Sequence, residues 1–156
     1  ITLGAVSNRK ICRSILEAVE KLLIPGAIRT LADAPVKHQL PIYANHGGGL
    51  LNNPSHPYWG HYEGDEDTRR KPAYHNGTAW TWLFPSYPEA YFMTFGEIGK
   101  PTARAILSSS LVQLKAGCFG QIPEILDGNL PHEQRGCDAQ AWGVTELYRV
   151  WKLLAD

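Results

Sequence analysis

Apolar residues recur at helical spacing in four segments of the chain. In the first segment, residues on one face repeat every three or four positions: Ile11, Ile15, Val19 and Leu22. Charged residues occupy the positions between them, as on the outer face of a surface helix. The pattern predicts four main helices, over residues 8–23, 78–95, 101–116 and 139–154.

Capping and breaking residues set the expected helix ends. Ser7 or Asn8 is placed to cap the first helix, and Pro25-Gly26 stops it. Within the second segment, Ser86-Tyr87-Pro88-Glu89 has the form of a capping box, where the helix proper restarts. Asp138 is the expected cap of the last helix.

Long polar loops separate these helices. Residues 24–73 hold six prolines and a Gly47-Gly48-Gly49 run, which interrupt any helical period. The same interval has the composition of a polar and aromatic wall: His38, His46, His56, His61, Tyr43, Tyr58, Trp59 and Tyr62. Because no strand pair is evident, the expected fold class is all-α, about four main helices with the chemistry in the long loops.

Composition narrows the functional classes. The 156 residues suit one domain, and 44% are hydrophobic, enough to bury a core. Lys plus Arg equals Asp plus Glu, at 15 each, which argues against a nucleic-acid partner. No apolar run approaches the roughly 20 residues that span a bilayer, so no membrane partner is expected. Because the chain does not begin with Met, we expect it to be cut from a longer protein.

Cysteines and clustered charges indicate neither a metal nor a cofactor. Cys12, Cys118 and Cys137 are odd in number and form no CxxC pair, which favours reduced, buried thiols in a cytoplasmic protein. A disulfide or a nucleophilic cysteine is the alternative. The acidic run 63–67 is typical of a solvated turn, and its spacing matches no calcium loop.

One carboxylate stands in an unusual loop, Gly120-Gln121-Ile122-Pro123-Glu124-Ile125-Leu126-Asp127-Gly128. Glu124 follows a proline, which restricts the local backbone, and its neighbours Ile122 and Ile125 are apolar. A carboxylate in such surroundings needs hydrogen-bond partners. From these residues alone, Glu124 is either a catalytic group or an exposed or capping side chain.

Two further segments combine aromatic and polar side chains at predicted helix starts. Sugars need flat apolar faces for stacking and polar groups for their hydroxyls. Residues 74–82 and 135–142 supply both, and the candidate sugar-binding residues are His75, Asn76, Thr78, Trp80, Trp82, Gln140 and Trp142. The alternative is that both segments are capped helix entries with core tryptophans.

Four motifs in order carry a family resemblance: LLIPGAIRTLA at 22–32, YHNGTAWTW at 74–82, QIPEILDG at 121–128 and RGCDAQAW at 135–142. Together they resemble the C-terminal amylo-α-1,6-glucosidase domain of the glycogen debranching enzyme family, over roughly residues 1–154. Thr81 stands where the family has proline between two tryptophans, and Ile28 stands where leucine is expected.

The resemblance implies a fold and a reaction. The fold would be an (α/α)6 toroid of six inner and six outer helices. The activity would be removal of the glucose left at a branch point of glycogen or a related α-glucan oligosaccharide. It implies an inverting reaction by two carboxylates roughly 6.5–9.5 Å apart. Glu124 falls on the family's general base.

One family feature has no counterpart here. The family's general acid is an aspartate upstream of these motifs, and no segment of 1–156 matches it. Residues 1–156 are therefore expected to be the C-terminal portion of one glucosidase domain, inactive alone and prone to self-association. The alternatives are a non-catalytic carbohydrate-binding or scaffold domain and a toroid glycosidase of another linkage preference. An open setting for Glu124 would favour catalysis, and a salt bridge or cap would favour a structural role.

Overall fold

The computed structural model describes residues 1–45 and 47–155 of the protein. The helices in this part are α1 (Arg9–Glu20), α2 (Lys71–Tyr74), α3 (Ser86–Phe95), α4 (Lys100–Ser108) and α5 (Ala141–Leu154). The strands are β1 (Leu23–Ile24), β2 (Ala27–Arg29), β3 (Ala79–Trp80), β4 (Ile125–Leu126) and β5 (Gln134–Arg135). Three further turns are helical: a π-helical turn at Glu66–Arg70 and 3-10 turns at Gly96–Gly99 and Ser109–Lys115.

The five short strands form one antiparallel sheet in the order β1-β2-β3-β4-β5. The prediction of an all-α fold is therefore wrong, and with it the prediction of an (α/α)6 toroid. Strands of two or three residues are too short to show the alternation of apolar and polar residues that marks a strand in sequence. One row of cross-strand neighbours runs through the sheet: Leu23, Ile28, Trp80, Ile125 and Arg135.

Strands β1 and β2 form a hairpin. Ile24 pairs with Ala27, so Pro25 and Gly26 are the two central residues of the turn between β1 and β2. Gly26 has φ +78°, and proline followed by a positive-φ glycine is the pattern of a type II turn. The predicted role of Pro25-Gly26 as the stop of the first helix is therefore wrong: α1 already ends at Glu20, β1 follows it, and the pair forms the turn between β1 and β2.

Three of the four predicted helices occur close to their expected ranges. Asn8 caps α1 by accepting hydrogen bonds from the backbone N–H groups of Lys10 at 3.0 Å and Ile11 at 3.2 Å. The segment 101–116 begins as α4 but tightens into a 3-10 turn from Ser109. The last helix has Gln140, not Asp138, at its N-cap position, and no side chain caps it.

The prediction of a helix over 78–95 is wrong in its first half. Residues 79 and 80 belong to β3, and the helix starts at Ser86, where the sequence indicated a restart. The expected capping box does not form, because Pro85, not Ser86, holds the N-cap position, and Glu89 binds elsewhere. Its two carboxylate oxygens accept hydrogen bonds from Arg149 of α5 at 2.9 and 2.7 Å. This bidentate pair ties α3 to α5.

The apolar core lies where α3 meets the other helices. Helix α3 packs against α1, α4 and α5, and α4 also packs against α5. One buried cluster joins α4 and α5 to the loop before β4: Ala103, Leu107, Ile122, Leu147, Val150 and Leu154. Ile122 therefore anchors the loop that carries Glu124 to the helical core. A Cβ on Gly143 of α5 would lie 3.0 Å from the Ile122 side chain, which shows how closely the helix approaches this loop.

Two further predictions concern the membrane and the thiols. Among the described residues, no helix is long and apolar enough to cross a membrane. The three cysteines are free thiols, as predicted, but only Cys12 is buried, and Cys118 and Cys137 are exposed. The prediction that all three are buried is wrong for the last two.

Candidate active site

The backbone of Glu124 is held from two sides. Its N–H donates to the carbonyl oxygen of Cys137 at 2.8 Å, and its own carbonyl oxygen accepts from the backbone N–H of Thr81 at 3.4 Å. The buried hydroxyl of Thr81 also donates to the carbonyl oxygens of Pro123 at 2.5 Å and Glu124 at 3.1 Å. The exit of β3 therefore fixes Glu124 at the start of β4.

The half-buried carboxylate of Glu124 accepts two hydrogen bonds from neutral donors. The hydroxyl of Tyr74 donates to Oε1 at 2.9 Å, and the backbone N–H of Cys137 donates to Oε2 at 3.1 Å. Gly136 leaves room for this arrangement, because a Cβ there would lie 2.6 Å from Oε2. Its φ of +71° also favours glycine. The carboxylate is therefore oriented at both oxygens without an ion pair among these contacts.

Tyr74 is a perturbed phenol. Burial, followed by the hydrogen bond to Glu124 and the negative charge of that carboxylate, raises the pKa of Tyr74 to about 12. The shift has the expected sign, since both a low-polarity setting and a nearby anion disfavour the phenolate. Tyr74 consequently stays a hydrogen-bond donor to Glu124 throughout the neutral pH range.

An aromatic cluster surrounds the Tyr74 ring. The centroid of Tyr74 lies 5.5 Å from that of Tyr62, 4.9 Å from that of His75 and 4.8 Å from that of Trp80. His75 and Trp80 are parallel, with an interplanar angle of 6° and centroids 6.0 Å apart. The structure thus connects His75 and Trp80 with Glu124 through the single ring of Tyr74.

Trp82 and Trp142 form a second aromatic pair. Their rings stack with centroids 5.2 Å apart and an interplanar angle of 19°. The pair joins the segment after β3 to the first turn of α5, and Trp142 remains 45% exposed. The ring contact that the structure gives the candidate sugar-binding residue Trp142 is with Trp82. Trp142 therefore combines ring stacking with solvent access, and a sugar ring binds aromatic rings of this kind.

Sequence comparison decides the family. Residues 42–149, well over half of the chain, match the family model described as amylo-alpha-1,6-glucosidase. The chain belongs to the amylo-alpha-1,6-glucosidase family. The resemblance to this family is thereby confirmed, and the matched range includes Tyr74, Glu124 and Trp142 with three of the four motifs, whereas the motif at 22–32 lies outside it. Comparisons with curated proteins and with solved structures returned no match.

Three candidate sugar-binding residues of this amylo-alpha-1,6-glucosidase family member have side-chain polar atoms that are buried or bonded to the backbone. The Asn76 side chain donates to the carbonyl oxygen of Pro72 at 2.6 Å and so closes the turn after α2. Thr78 is fully buried, and its hydroxyl has no partner among the described residues. The buried side-chain oxygen of Gln140 likewise has none within the described part of the chain. Their roles toward a sugar stay predictions.

A buried carboxylate, Asp127, has a larger structural part than the sequence indicated. It is 1% exposed. Its Oδ1 accepts from the backbone N–H of Tyr62 at 2.7 Å, and its Oδ2 accepts from Nε and Nη2 of Arg135 at 3.2 and 3.0 Å. Asp127 therefore holds the segment carrying Tyr62 against the β4–β5 hairpin. The available signal was an aspartate directly after an apolar pair, Ile125-Leu126.

The histidines and acidic residues of the described part of the long loop do not cluster as metal ligands do. Within residues 1–45 and 47–155, no three His, Cys, Asp or Glu side chains group as they would around a metal ion. The run 63–67 is exposed, as predicted for a solvated turn, and Asp65 caps the π-helical turn that follows it. His46, named with the polar and aromatic wall, lies outside the described residues.

Proposed function

We propose that this chain carries the general base and part of the sugar-binding surface of a glycoside hydrolase. The substrate is the α-1,6-linked glucose at a branch point of glycogen or a related α-glucan. In this reaction Glu124 removes a proton from water as the water attacks the anomeric carbon from the face opposite the leaving group. The product sugar therefore has inverted configuration.

The setting of Glu124 is the observation that carries the proposal. A structural glutamate of this kind would be neutralised by a cation or used as a helix cap. Glu124 instead accepts one hydrogen bond from a phenol and one from a backbone amide, and both leave its charge intact. A fixed, charged and half-buried carboxylate has the properties that a general base needs.

Aromatic faces beside the base support a sugar substrate. The stacked His75 and Trp80 rings lie against Tyr74, which itself binds Glu124. The stacked Trp82 and Trp142 pair adds a second aromatic surface, with Trp142 of α5 exposed to solvent. Glucose rings carry apolar C–H faces that bind such surfaces. We propose His75, Trp80, Trp82 and Trp142 as the sugar-contacting residues.

The general acid requires a second carboxylate that is protonated before the reaction. Asp127 is buried in an ion pair with Arg135 at 3.0 Å, and Asp67 pairs with Lys71 at 2.6 Å. Hydrogen bonds from Thr68, first of all its backbone N–H, lower the pKa of Asp65, which is the wrong direction for an acid. We propose that the acid lies outside residues 1–156, which form the C-terminal portion of the glucosidase domain.

Glucose release from a phosphorylase limit dextrin by the full-length protein tests the proposal. The Glu124→Gln variant keeps the size and hydrogen bonding of the side chain but removes the base. Its kcat should fall by about 10²–10⁴-fold, the usual contribution of a general base, with little change in KM. The matched control is Glu133→Gln, an exposed glutamate between β4 and β5, which should retain wild-type turnover.

Two outcomes would overturn the proposal in different ways. Wild-type turnover by Glu124→Gln would move the base to another residue. Glucan binding by a wild-type full-length protein that releases no glucose would instead favour a non-catalytic carbohydrate-binding domain.

A further inference from the structure

We infer that Tyr74 is the positioning residue of the general base: its hydroxyl donates to the Glu124 carboxylate and aims it at the attacking water. The inference rests on the proposed function, since it concerns how that base is prepared for the reaction. Its observations are the hydrogen bond of 2.9 Å from the Tyr74 hydroxyl to Oε1 and the packing that fixes the Tyr74 ring.

Each oxygen of the Glu124 carboxylate accepts one hydrogen bond. The Tyr74 hydroxyl occupies one acceptor position on Oε1, and the Cys137 N–H occupies one on Oε2. Each carboxylate oxygen has two lone-pair positions, so each oxygen retains one for a water molecule. The two bonds remove rotation about the terminal side-chain torsion of Glu124. The carboxylate is therefore aimed before any substrate arrives, and little reorientation is needed during the reaction.

The Tyr74 side chain is itself held in place. Its ring contacts three other rings, those of Tyr62, His75 and Trp80. The Trp80 indole N–H reaches the carbonyl oxygen of Tyr74 at 3.4 Å, at the end of α2. The backbone of Tyr62 is in turn fixed by the buried Asp127 at 2.7 Å. The phenol therefore has little freedom to turn away from Glu124.

Tyr74 is the donor and Glu124 the acceptor in this hydrogen bond, which suits a general base. A donor favours the ionised form of a carboxylate over its protonated form. Tyr74 stays protonated well above neutral pH, because burial and the neighbouring Glu124 raise its pKa to about 12. It therefore acts only as a donor under working conditions and does not compete for the proton that Glu124 takes from water.

The Tyr74→Phe variant of the full-length protein tests this role, because it keeps the ring packing and removes only the hydroxyl. The kcat should fall by about 10-fold, the equivalent of one hydrogen bond to a charged group, with KM nearly unchanged. The acid limb of the pH profile of kcat/KM should also move to higher pH, because the ionised carboxylate has lost a donor. A purely structural role would not move this limb.

Tyr58→Phe is the matched control. The Tyr58 hydroxyl donates to Oδ1 of Asn129 at the same distance of 2.9 Å, so the chemical change is the same, but the acceptor is a neutral amide and not Glu124. Tyr58→Phe should lower thermal stability without moving the acid limb. If Tyr74→Phe is too unstable to assay, 3-fluorotyrosine at position 74 keeps the fold and makes the phenol a stronger donor. That substitution should move the acid limb to lower pH.

The outcomes separate this inference from the proposed function. Loss of turnover in Glu124→Gln, together with a wild-type kcat and acid limb in Tyr74→Phe, would overturn the inference and leave the base assignment in place. An unmoved acid limb in the fluorotyrosine protein would overturn it equally. Full turnover in Glu124→Gln would overturn the proposed function itself.

Discussion

The Tyr74 hydroxyl donates a hydrogen bond of 2.9 Å to Oε1 of Glu124, a residue 50 positions further along the chain. Tyr74 ends α2, and Glu124 directly precedes β4. The strand between them, β3, pairs with β4 through Trp80 and Ile125. The small sheet is therefore the element that brings the phenol and the carboxylate together, and with them the aromatic rings that surround the phenol.

The ionisation of Tyr74 provides a test that needs no substrate. Its pKa is raised from 10.0 to about 12, so the folded protein holds this proton more tightly than the unfolded chain does. The stability from this group is complete below about pH 10 and is lost as the pH rises through about 12. NMR of ¹³Cζ-labelled tyrosine should show Tyr74 still protonated at about pH 11.

The same titration in Glu124→Gln separates the causes of the shift. The pKa of Tyr74 should fall when the carboxylate is removed, because its charge and hydrogen bond both oppose ionisation. It should stay above the ordinary value of 10.0, because burial is the largest cause and persists. An unchanged pKa would mean that the two side chains do not interact in solution.

Asp127 should contribute to stability through the segment that it holds. Asp127→Asn removes the charge that Arg135 binds at 3.0 Å and weakens the bond to the Tyr62 N–H. We expect a loss of about 1.5–3 kcal/mol in the free energy of unfolding, below the range for a fully buried pair. The reason is that the Arg135 side chain is 30% exposed and keeps a second partner, Glu63.

Urea-induced unfolding measures this loss. The control is Asp138→Asn, a change at an exposed loop position that should stay within about 0.5 kcal/mol of the wild type. Equal stability of Asp127→Asn and the wild type would show that the buried carboxylate does not brace the Tyr62 segment.

Trp142 is expected to contribute to sugar binding, and Trp151 on the same helix provides a control. Trp142 and Trp151 both lie on α5 and are similarly exposed, at 45% and 42%, but only Trp142 stacks on Trp82 among the ring contacts of the described residues. Trp142→Ala should weaken binding of an α-glucan oligosaccharide by roughly 2- to 10-fold. Trp151→Ala should leave the Kd unchanged in isothermal titration. Equal effects of the two changes would remove Trp142 from the proposed site.

The helices were largely predictable from the sequence, because their signals are local. Asn8 caps α1 as expected, and the apolar stripe of α5 is long and regular. The sheet was not predictable, because each strand is two or three residues long and is defined by partners far away in the chain. Pro25-Gly26 was interpreted as the stop of the first helix, but α1 ends earlier, at Glu20, and the pair forms the turn of a hairpin whose strands the sequence does not reveal.

In the candidate site, too, local sequence signals were readable and contacts between distant residues were not. Glu124 was singled out from the sequence because a carboxylate between apolar residues and after a proline is unusual. Its partner Tyr74 was part of a quoted motif but received no role, since nothing in its neighbourhood points to residue 124. The Asp127–Arg135 pair was equally hidden, because ion pairing depends on the register of β4 and β5. Contacts that depend on register require the structure.

The isolated chain should be catalytically inactive and should self-associate. The proposed base alone does not suffice, because a sugar oxygen leaves poorly unless an acid protonates it. An apolar groove of about 390 Å³ also opens between α1 and α3, with Ile15, Val19, Leu22 and Leu83 among its lining residues. Apolar surface of this kind favours association. Glucose assays should show no release from a limit dextrin, and size-exclusion chromatography should show species larger than a monomer. Measurable release would place the acid within residues 1–156.

The most direct test of Glu124 as the general base replaces it with alanine in the full-length protein and supplies azide. Azide is a charged nucleophile that needs no base, so it can attack the anomeric carbon from the face that water would use, while the glycosidic C–O bond breaks. NMR of the anomeric proton should show slow turnover without azide and accumulation of β-glucosyl azide with it. Wild-type release of glucose by Glu124→Ala, or an azide product of α configuration, would contradict the account.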